Sequence, residues 1–238
     1  MRQNATIGVL IPALNEEQAI GKVISAIPGW VDKIIVVDNG SRDQTAEIAQ
    51  DYGVYVVHEP IRGYGRACQR GLQELQHIDV IVFLDGDYSD YPEQMDLLVD
   101  PIVDGDYDFV IGSRIKAGQK KGALTLQQRF GNWLACKLIW LIWRVSYTDL
   151  GPFRSIRRTA LSQLHMQDQS YGWTVEMQIK AILTKLKIHE VMVDYRPRIG
   201  ISKISGSIKA SVLAGIKILS LIAKYALLKR TMPYTRQK

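Results

Sequence analysis

A chain of 238 residues with 47% apolar side chains has enough material for one large α/β domain or two small ones. Its two cysteines, Cys68 and Cys136, stand far apart without metal-ligand spacing, which speaks against a disulfide framework and suits a reducing compartment. The formal charge of +6 is unevenly spread: residues 1–194 hold 20 Lys/Arg and all 24 Asp/Glu, whereas residues 195–238 hold ten Lys/Arg and no acid. A tail of that kind calls for an anionic partner, whether phosphate, nucleic acid or a membrane surface. The first residues, Met1 to Thr6, lack the apolar core of a signal peptide, so the expected location is cytoplasmic.

In chain order, Thr6 to Ile11 predicts a short apolar strand, and Glu16 to Ile27 a helix with Ala19, Ile20, Val23, Ile24 and Ile27 on one face. Lys33 to Asp38 predicts a second strand, Thr45 to Asp51 a second helix, Val54 to His58 a third strand and Arg66 to Leu75 a third helix. The apolar run Val80 to Leu84 predicts a fourth strand buried on both faces, followed by a helix after Pro92, and Asp108 to Gly112 a fifth strand. Strands alternating with helices on short connections make an α/β protein with a doubly wound, mostly parallel sheet.

Sheets of that type bind ligands beyond the carboxyl ends of their strands. Those ends release Pro12-Ala13-Leu14-Asn15-Glu16, Asp38-Asn39-Gly40-Ser41-Arg42-Asp43-Gln44-Thr45, Gly63-Tyr64-Gly65-Arg66 and Asp85-Gly86-Asp87. A strand-end carboxylate can accept ribose hydroxyls or a base N–H, and glycines let backbone N–H groups approach phosphate. Asp85 and Asp87, one residue apart, can share a hard divalent cation that also grips a diphosphate. Each segment alone reads equally well as a turn or a helix cap, but four at one sheet edge favour a nucleotide site. Gly63-x-Gly65 is not a dinucleotide fingerprint, because Cys68 stands at the third glycine position and the motif follows the third strand; the pair is expected to be coincidental. No Gly-x-x-x-x-Gly-Lys-Ser/Thr loop is present.

These motifs resemble the sugar-nucleotide motifs of family 2 glycosyltransferases, within them the dolichyl-phosphate mannose and glucose synthase-like branch. The resemblance extends through Gly112-Ser113-Arg114, Thr148-Asp149-Leu150-Gly151-Pro152-Phe153-Arg154, Tyr171-Gly172-Trp173-Thr174-Val175-Glu176 and Ser202-Lys203-Ile204-Ser205-Gly206. It implies a GT-A nucleotide-sugar fold and inversion at the anomeric carbon. It also implies that Glu16 and Asp38 hold the nucleoside, with Pro12, Ala13, Asn15, Gly40, Ser41, Asp43, Gly63 and Gly86 beside them. Asp85 and Asp87 are the implied ligands of Mg²⁺ or Mn²⁺ on the donor diphosphate. The sequence departs from the family at Asn39, where many relatives carry an acid, and at Tyr88-Ser89-Asp90-Tyr91-Pro92, where polyprenyl-phosphate enzymes often carry Gln, His or paired prolines.

For a hydroxyl acceptor, Asp149 or Glu176 is the expected general base. A phosphate acceptor needs none, and Arg114 and Arg154 would then orient phosphates. The alternatives are a turn acid before a short strand for Asp149 and a helix-start acid for Glu176. Arg196, Arg198 and Lys203 are expected to neutralise the donor. Two helices bear on membranes. Phe130 to Val145 carries Trp133, Trp140 and Trp143, and Ser207 to Leu228 carries Lys209, Lys217 and Lys224 within roughly 80° of one another. The second helix is expected to lie in a membrane interface, lysines on headgroups, with packing against the catalytic domain as the alternative.

The organisation expected is a catalytic domain over 1–206, divided into a nucleotide-binding half (1–114) and an acceptor half (115–206), then an amphipathic helix and basic tail over 207–238. The expected activity is transfer of a hexose from UDP-glucose or GDP-mannose to a polyprenyl phosphate at the cytosolic membrane face. A soluble hydroxyl acceptor, or a nucleotide-sugar-binding protein without turnover, are the alternatives. A nucleic-acid partner is not expected, since aromatic and basic residues do not interleave outside the helix.

Overall fold

The computed structural model describes residues 2–115, 124–200 and 208–231. Among them seven strands form one sheet: β1 (Ile7–Ala13), β2 (Lys33–Asp38), β3 (Tyr55–His58), β4 (Val80–Phe83), β5 (Phe109–Ser113), β6 (Arg154–Arg157) and β7 (Ile188–Met192). Their order is β3-β2-β1-β4-β6-β5-β7. Every pairing is parallel except those of β6, which runs antiparallel between β4 and β5. The register aligns the carboxyl ends: Ala13 pairs with Asp38, and Asp38 with His58. The turn after β4 therefore opens beside the turn after β1, with Leu84 N donating to Leu10 O at 3.1 Å.

The helices are α1 (Ile20–Ala26), α2 (Thr45–Asp51), α3 (Tyr64–Leu72), α4 (Asp96–Val103), α5 (Leu126–Trp143), α6 (Arg158–Leu164), α7 (Trp173–Leu183) and α8 (Ile208–Thr231). Alternating strand residues feed two cores. Leu10, Ile35, Val37, Ile81 and Phe83 face α3, α5, α7 and α8, while Val9, Ile11, Val36, Val80 and Val82 face α1 and α4. Helices on both faces of a mostly parallel sheet match the expected class.

Helix α1 starts at Ile20 rather than Glu16, because Glu16 to Ala19 form a turn in which the Glu16 carbonyl accepts from Ala19 N and Ile20 N. That turn leaves the Glu16 side chain at the strand edge. The glycine pair at 63 and 65 is not coincidental. A Cβ at Gly63 would stand 2.2 Å from Gln169 O, and one at Gly65 2.1 Å from Asp168 O. The loop before α7 lies directly on the start of α3, with Gly65 N and Arg66 N donating to Ser170 O and Gln169 O. Both cysteines are buried and free. Helix α8 docks on α5 and α7 through Ala214, Leu221, Ile222 and Tyr225. Lys217 turns to Asp168, Nζ to Oδ2 2.7 Å. That lysine meets protein, whereas Val212, Leu213, Ile216, Leu219 and Leu227 stay exposed.

Candidate active site

The turn after β1 is laced to the turn after β2. Asn15 N donates to Ser41 Oγ (2.9 Å), Arg42 N to Asn15 Oδ1 (2.8 Å) and Glu16 N to Thr45 Oγ1 (2.8 Å). Asp43 accepts from Glu17 N and Thr45 N. Asn15, Ser41 and Asp43 thus hold the loops in place through their side chains, and Gly40 supplies the positive φ (+79°) that the second turn requires. Asn39 is spent on the next loop: it donates to Glu59 O and Ile61 O and accepts from Gly63 N. Within this frame Asp38 is buried, accepting from Ser41 N at 3.1 Å and meeting the exposed His58 ring at 3.2 Å. Pro12 and Ala13 end β1 beside it, and Gly86 lies over Ala13 and Glu16.

Asp85 and Asp87 leave β4 into the same space. Burial and the neighbouring Asp87 push the Asp85 carboxyl up to about 7, and the Tyr64 hydroxyl donates to Asp85 Oδ1 at 3.3 Å. Asp87 Oδ1 accepts from Ser89 N (2.9 Å) and its hydroxyl. Its Oδ2 lies 3.0 Å from an Arg198 nitrogen, and the same guanidinium reaches Glu16 Oε1 at 2.6 Å. Tyr88 turns the chain at φ +60°, a strained conformation for a bulky residue. Asp90, unassigned by sequence reasoning, is buried with no hydrogen-bond partner on either oxygen. Burial and Asp85 hold its carboxyl well above the usual range. Three acids at 85, 87 and 90 were the available signal.

A divalent cation fits this donor set. Carboxylate oxygens are hard ligands, and burial raises the Asp85 and Asp90 carboxyls, so a cation would offset the cost of burying their charge. Among the described residues no group of three His, Cys, Asp or Glu side chains converges to chelate a metal alone. Asp85 and Asp87 would need phosphate oxygens to complete the coordination.

The motif from Thr148 to Arg154 is arranged differently. Asp149 is fully buried and bound by Arg114 through Nε–Oδ2 (2.7 Å), a second guanidinium nitrogen to Oδ1 (2.8 Å) and the Arg114 N–H (2.9 Å). Burial opposes its charge, but Arg114 outweighs burial and holds the carboxyl below the usual range. Glu190, a second residue missed, accepts from Thr148 N and Asp149 N and fixes this turn. Its only cue was one acid in the half-buried alternation of β7.

Arg154, expected to orient a phosphate, has its partners within the protein. It is 1% exposed, donates to the carbonyls of Leu150, Gly151 and Thr174, and lies over the Phe109 ring. Its guanidinium braces the 149–151 turn. Glu176 likewise has partners within the protein: its carboxylate accepts from Tyr225 OH (2.8 Å) and the backbone of Gln167 and Asp168, and pairs with Lys180 (2.9 Å). It fastens α8. Arg196 stacks between Tyr88 and Tyr91, 3.3 and 4.1 Å from the ring centroids, and donates to Tyr88 O and Asp90 O. The unusual tyrosines after the acidic motif thus clamp the 85–91 loop to the chain after β7. Lys203 and the 202–206 segment lie outside the described residues.

The family model for glycosyl transferase family 2 matches residues 8–165. The chain belongs to that family. It is 33% identical over 212 residues to an uncharacterized glycosyltransferase of Mycobacterium tuberculosis, covering 87% of this chain and 94% of the relative. A dolichyl-phosphate hexose transferase of Haloferax volcanii is 32% identical over 204 residues, covering 83% and 86%. Among solved structures, glucosyl-3-phosphoglycerate synthase from M. tuberculosis, in complex with Mn²⁺, UDP and glucosyl-3-phosphoglycerate, superposes with a TM-score of 0.76. It is 25% identical, over 94% of this chain and 80% of that one. The family 2 protein described here is therefore a glycosyltransferase with a GT-A fold.

Proposed function

We propose that the enzyme is an inverting, divalent-metal-dependent transferase that moves a hexose from a nucleoside-diphosphate sugar, UDP-glucose or GDP-mannose, to a polyprenyl phosphate at the cytosolic membrane face. Asp38 and Glu16 would hold the nucleoside at the ends of β1 and β2. Asp85 and Asp87 would hold Mg²⁺ or Mn²⁺, which when bound supplies positive charge to the departing diphosphate. A phosphate oxygen of the acceptor attacks the anomeric carbon opposite the diphosphate, the carbon–oxygen bond to the diphosphate breaks, and the configuration inverts.

The observation that carries the acceptor assignment is the state of the two acids expected to be bases. Asp149 is neutralised by a buried two-pronged Arg114 contact, and Glu176 is occupied with Tyr225 and Lys180. An acid held below its usual range is poorly matched to removing a hydroxyl proton near neutral pH. A phosphate acceptor arrives already ionised and needs no base. Two further features support a lipid acceptor. A groove of about 470 Å³ beside Thr148 is walled by Ile115, Trp133 and Trp140 and carries Arg129 and Lys137. The exposed side chains of α5 and α8 include Phe130, Trp133, Leu141, Ile216 and Leu219, and Ser211–Leu228 is long and apolar enough, by composition, to cross a membrane. The dolichyl-phosphate transferase relative agrees with this reading. A water-soluble phosphorylated acceptor is the second reading, favoured by the likeness to glucosyl-3-phosphoglycerate synthase.

The test offers either donor, with Mn²⁺, to a polyprenyl phosphate, the corresponding unphosphorylated polyprenol and 3-phosphoglycerate. Label entering only the polyprenyl phosphate product is expected. Equal transfer to the polyprenol, or transfer to 3-phosphoglycerate alone, overturns the assignment.

A further inference from the structure

Arg198 lies where the donor site is most acidic. It spans two elements, with one guanidinium nitrogen 3.0 Å from Asp87 Oδ2 after β4 and another 2.6 Å from Glu16 Oε1 after β1. Both carboxylates are more than nine-tenths buried or at that limit. Its backbone is fixed on either side: Arg196 N donates to Ser89 O and Ile199 N to Asp87 O. The Arg196 guanidinium, locked between Tyr88 and Tyr91, adds a second anchor. The other nearby guanidinium, Arg114, is engaged by Asp149. The pairing is also incomplete, because Arg198 Nε is buried without an acceptor. A buried donor left unmatched is a group that a phosphate oxygen can satisfy.

We propose that Arg198 is the internal counter-cation of the donor-site carboxylates. It holds Glu16 and Asp87 until metal arrives on the nucleoside diphosphate, then transfers its guanidinium from the carboxylates to the diphosphate. The inference rests on the metal-dependent donor site proposed above and adds an order of events. A free divalent cation on Asp87 would have to displace the guanidinium that already pairs with it, and would offer Arg198 no new partner. Metal brought by a diphosphate carries its own negative charge and gives the displaced arginine a new partner. The carboxylates paired with Arg198 therefore disfavour the free ion and admit the complex. Thermodynamic linkage makes this reciprocal: nucleotide and metal tighten one another by the same factor.

The test is Mn²⁺ binding to the full chain, followed by electron paramagnetic resonance, with and without UDP or GDP, in wild type, Arg198→Gln and Arg198→Lys. Wild type is expected to bind free Mn²⁺ weakly and to bind it far more tightly with the nucleotide. Arg198→Gln is expected to bind free Mn²⁺ about tenfold more tightly than wild type while losing most of the enhancement by nucleotide. Arg198→Lys, which keeps the charge, is expected to stay close to wild type, separating the charge effect from a folding defect. If Arg198→Gln binds free Mn²⁺ no better than wild type and keeps the full enhancement, the counter-cation inference fails while the donor site stands. If wild type binds no Mn²⁺ even with nucleotide, the donor-site reading falls and the inference with it.

Discussion

The edge formed by β1, β2 and β4 and the region around β6, α5 and α7 use the same residue types to opposite ends. At the first edge the acids face a shared space: burial raises the Asp85 and Asp90 carboxyls, Asp90 lacks a hydrogen-bond partner, and Arg198 is only partly matched. In the second, Asp149 is saturated by Arg114, Arg154 by backbone carbonyls, and Glu176 by Tyr225 and Lys180. Unfinished electrostatics mark the place built to receive ligand. Completed pairs mark a frame, which here shapes the 148–154 turn and fastens α8.

The contrast predicts where substitutions act on turnover and where on stability. The largest effect is expected from Asp87→Ala, with turnover reduced on the order of 10²–10³-fold and the metal-dependent rise in melting temperature lost; wild-type turnover would break the distinction. Next, Arg154→Met leaves the Leu150, Gly151 and Thr174 carbonyls without their donor. A stability loss of about 3 kcal/mol in denaturant titration is expected, with the donor KM of the folded fraction unchanged. A raised donor KM without loss of stability would return Arg154 to the phosphate site.

The same logic explains what the sequence could and could not disclose. Lys33–Asp38 and Thr45–Asp51 form the strand and helix expected, because one is an unbroken apolar run bounded by a turn and the other a short periodic segment after Asp43. The placement of Asp85 and Asp87 beside Glu16 and Asp38 was legible because strand ends of a parallel sheet share one edge. The partners of Arg154 and Glu176 were not legible. An arginine or glutamate in a motif reads identically whether it meets a phosphate or a neighbouring helix, and only burial decides. Gly63 and Gly65 were dismissed as coincidence because their constraint, the 168–170 backbone, is about 100 residues away in sequence.

Two smaller effects sharpen the comparison. Ile216→Asp, on the exposed side of α8, is expected to weaken cosedimentation with anionic vesicles by about 2 kcal/mol and to leave melting temperature unchanged. A fall in melting temperature instead would place that face inside the protein. Glu176→Gln removes the charge that Lys180 and Tyr225 meet and should cost about 1–2 kcal/mol of stability, read by thermal unfolding. Turnover per folded molecule is expected to change less than about threefold; a loss comparable to that of Asp87→Ala would restore Glu176 as a catalytic base.

The central claim is that the β1, β2 and β4 edge binds a sugar nucleotide with metal and delivers its hexose to a lipid phosphate. Its most direct test is single-turnover transfer from labelled UDP-glucose or GDP-mannose to a polyprenyl phosphate in vesicles, with Mn²⁺ or with a chelator. Organic-phase label that appears with Mn²⁺, and is abolished by the chelator and by Asp87→Ala, is the predicted result. Transfer that persists with the chelator, or label confined to water-soluble products, would contradict the account.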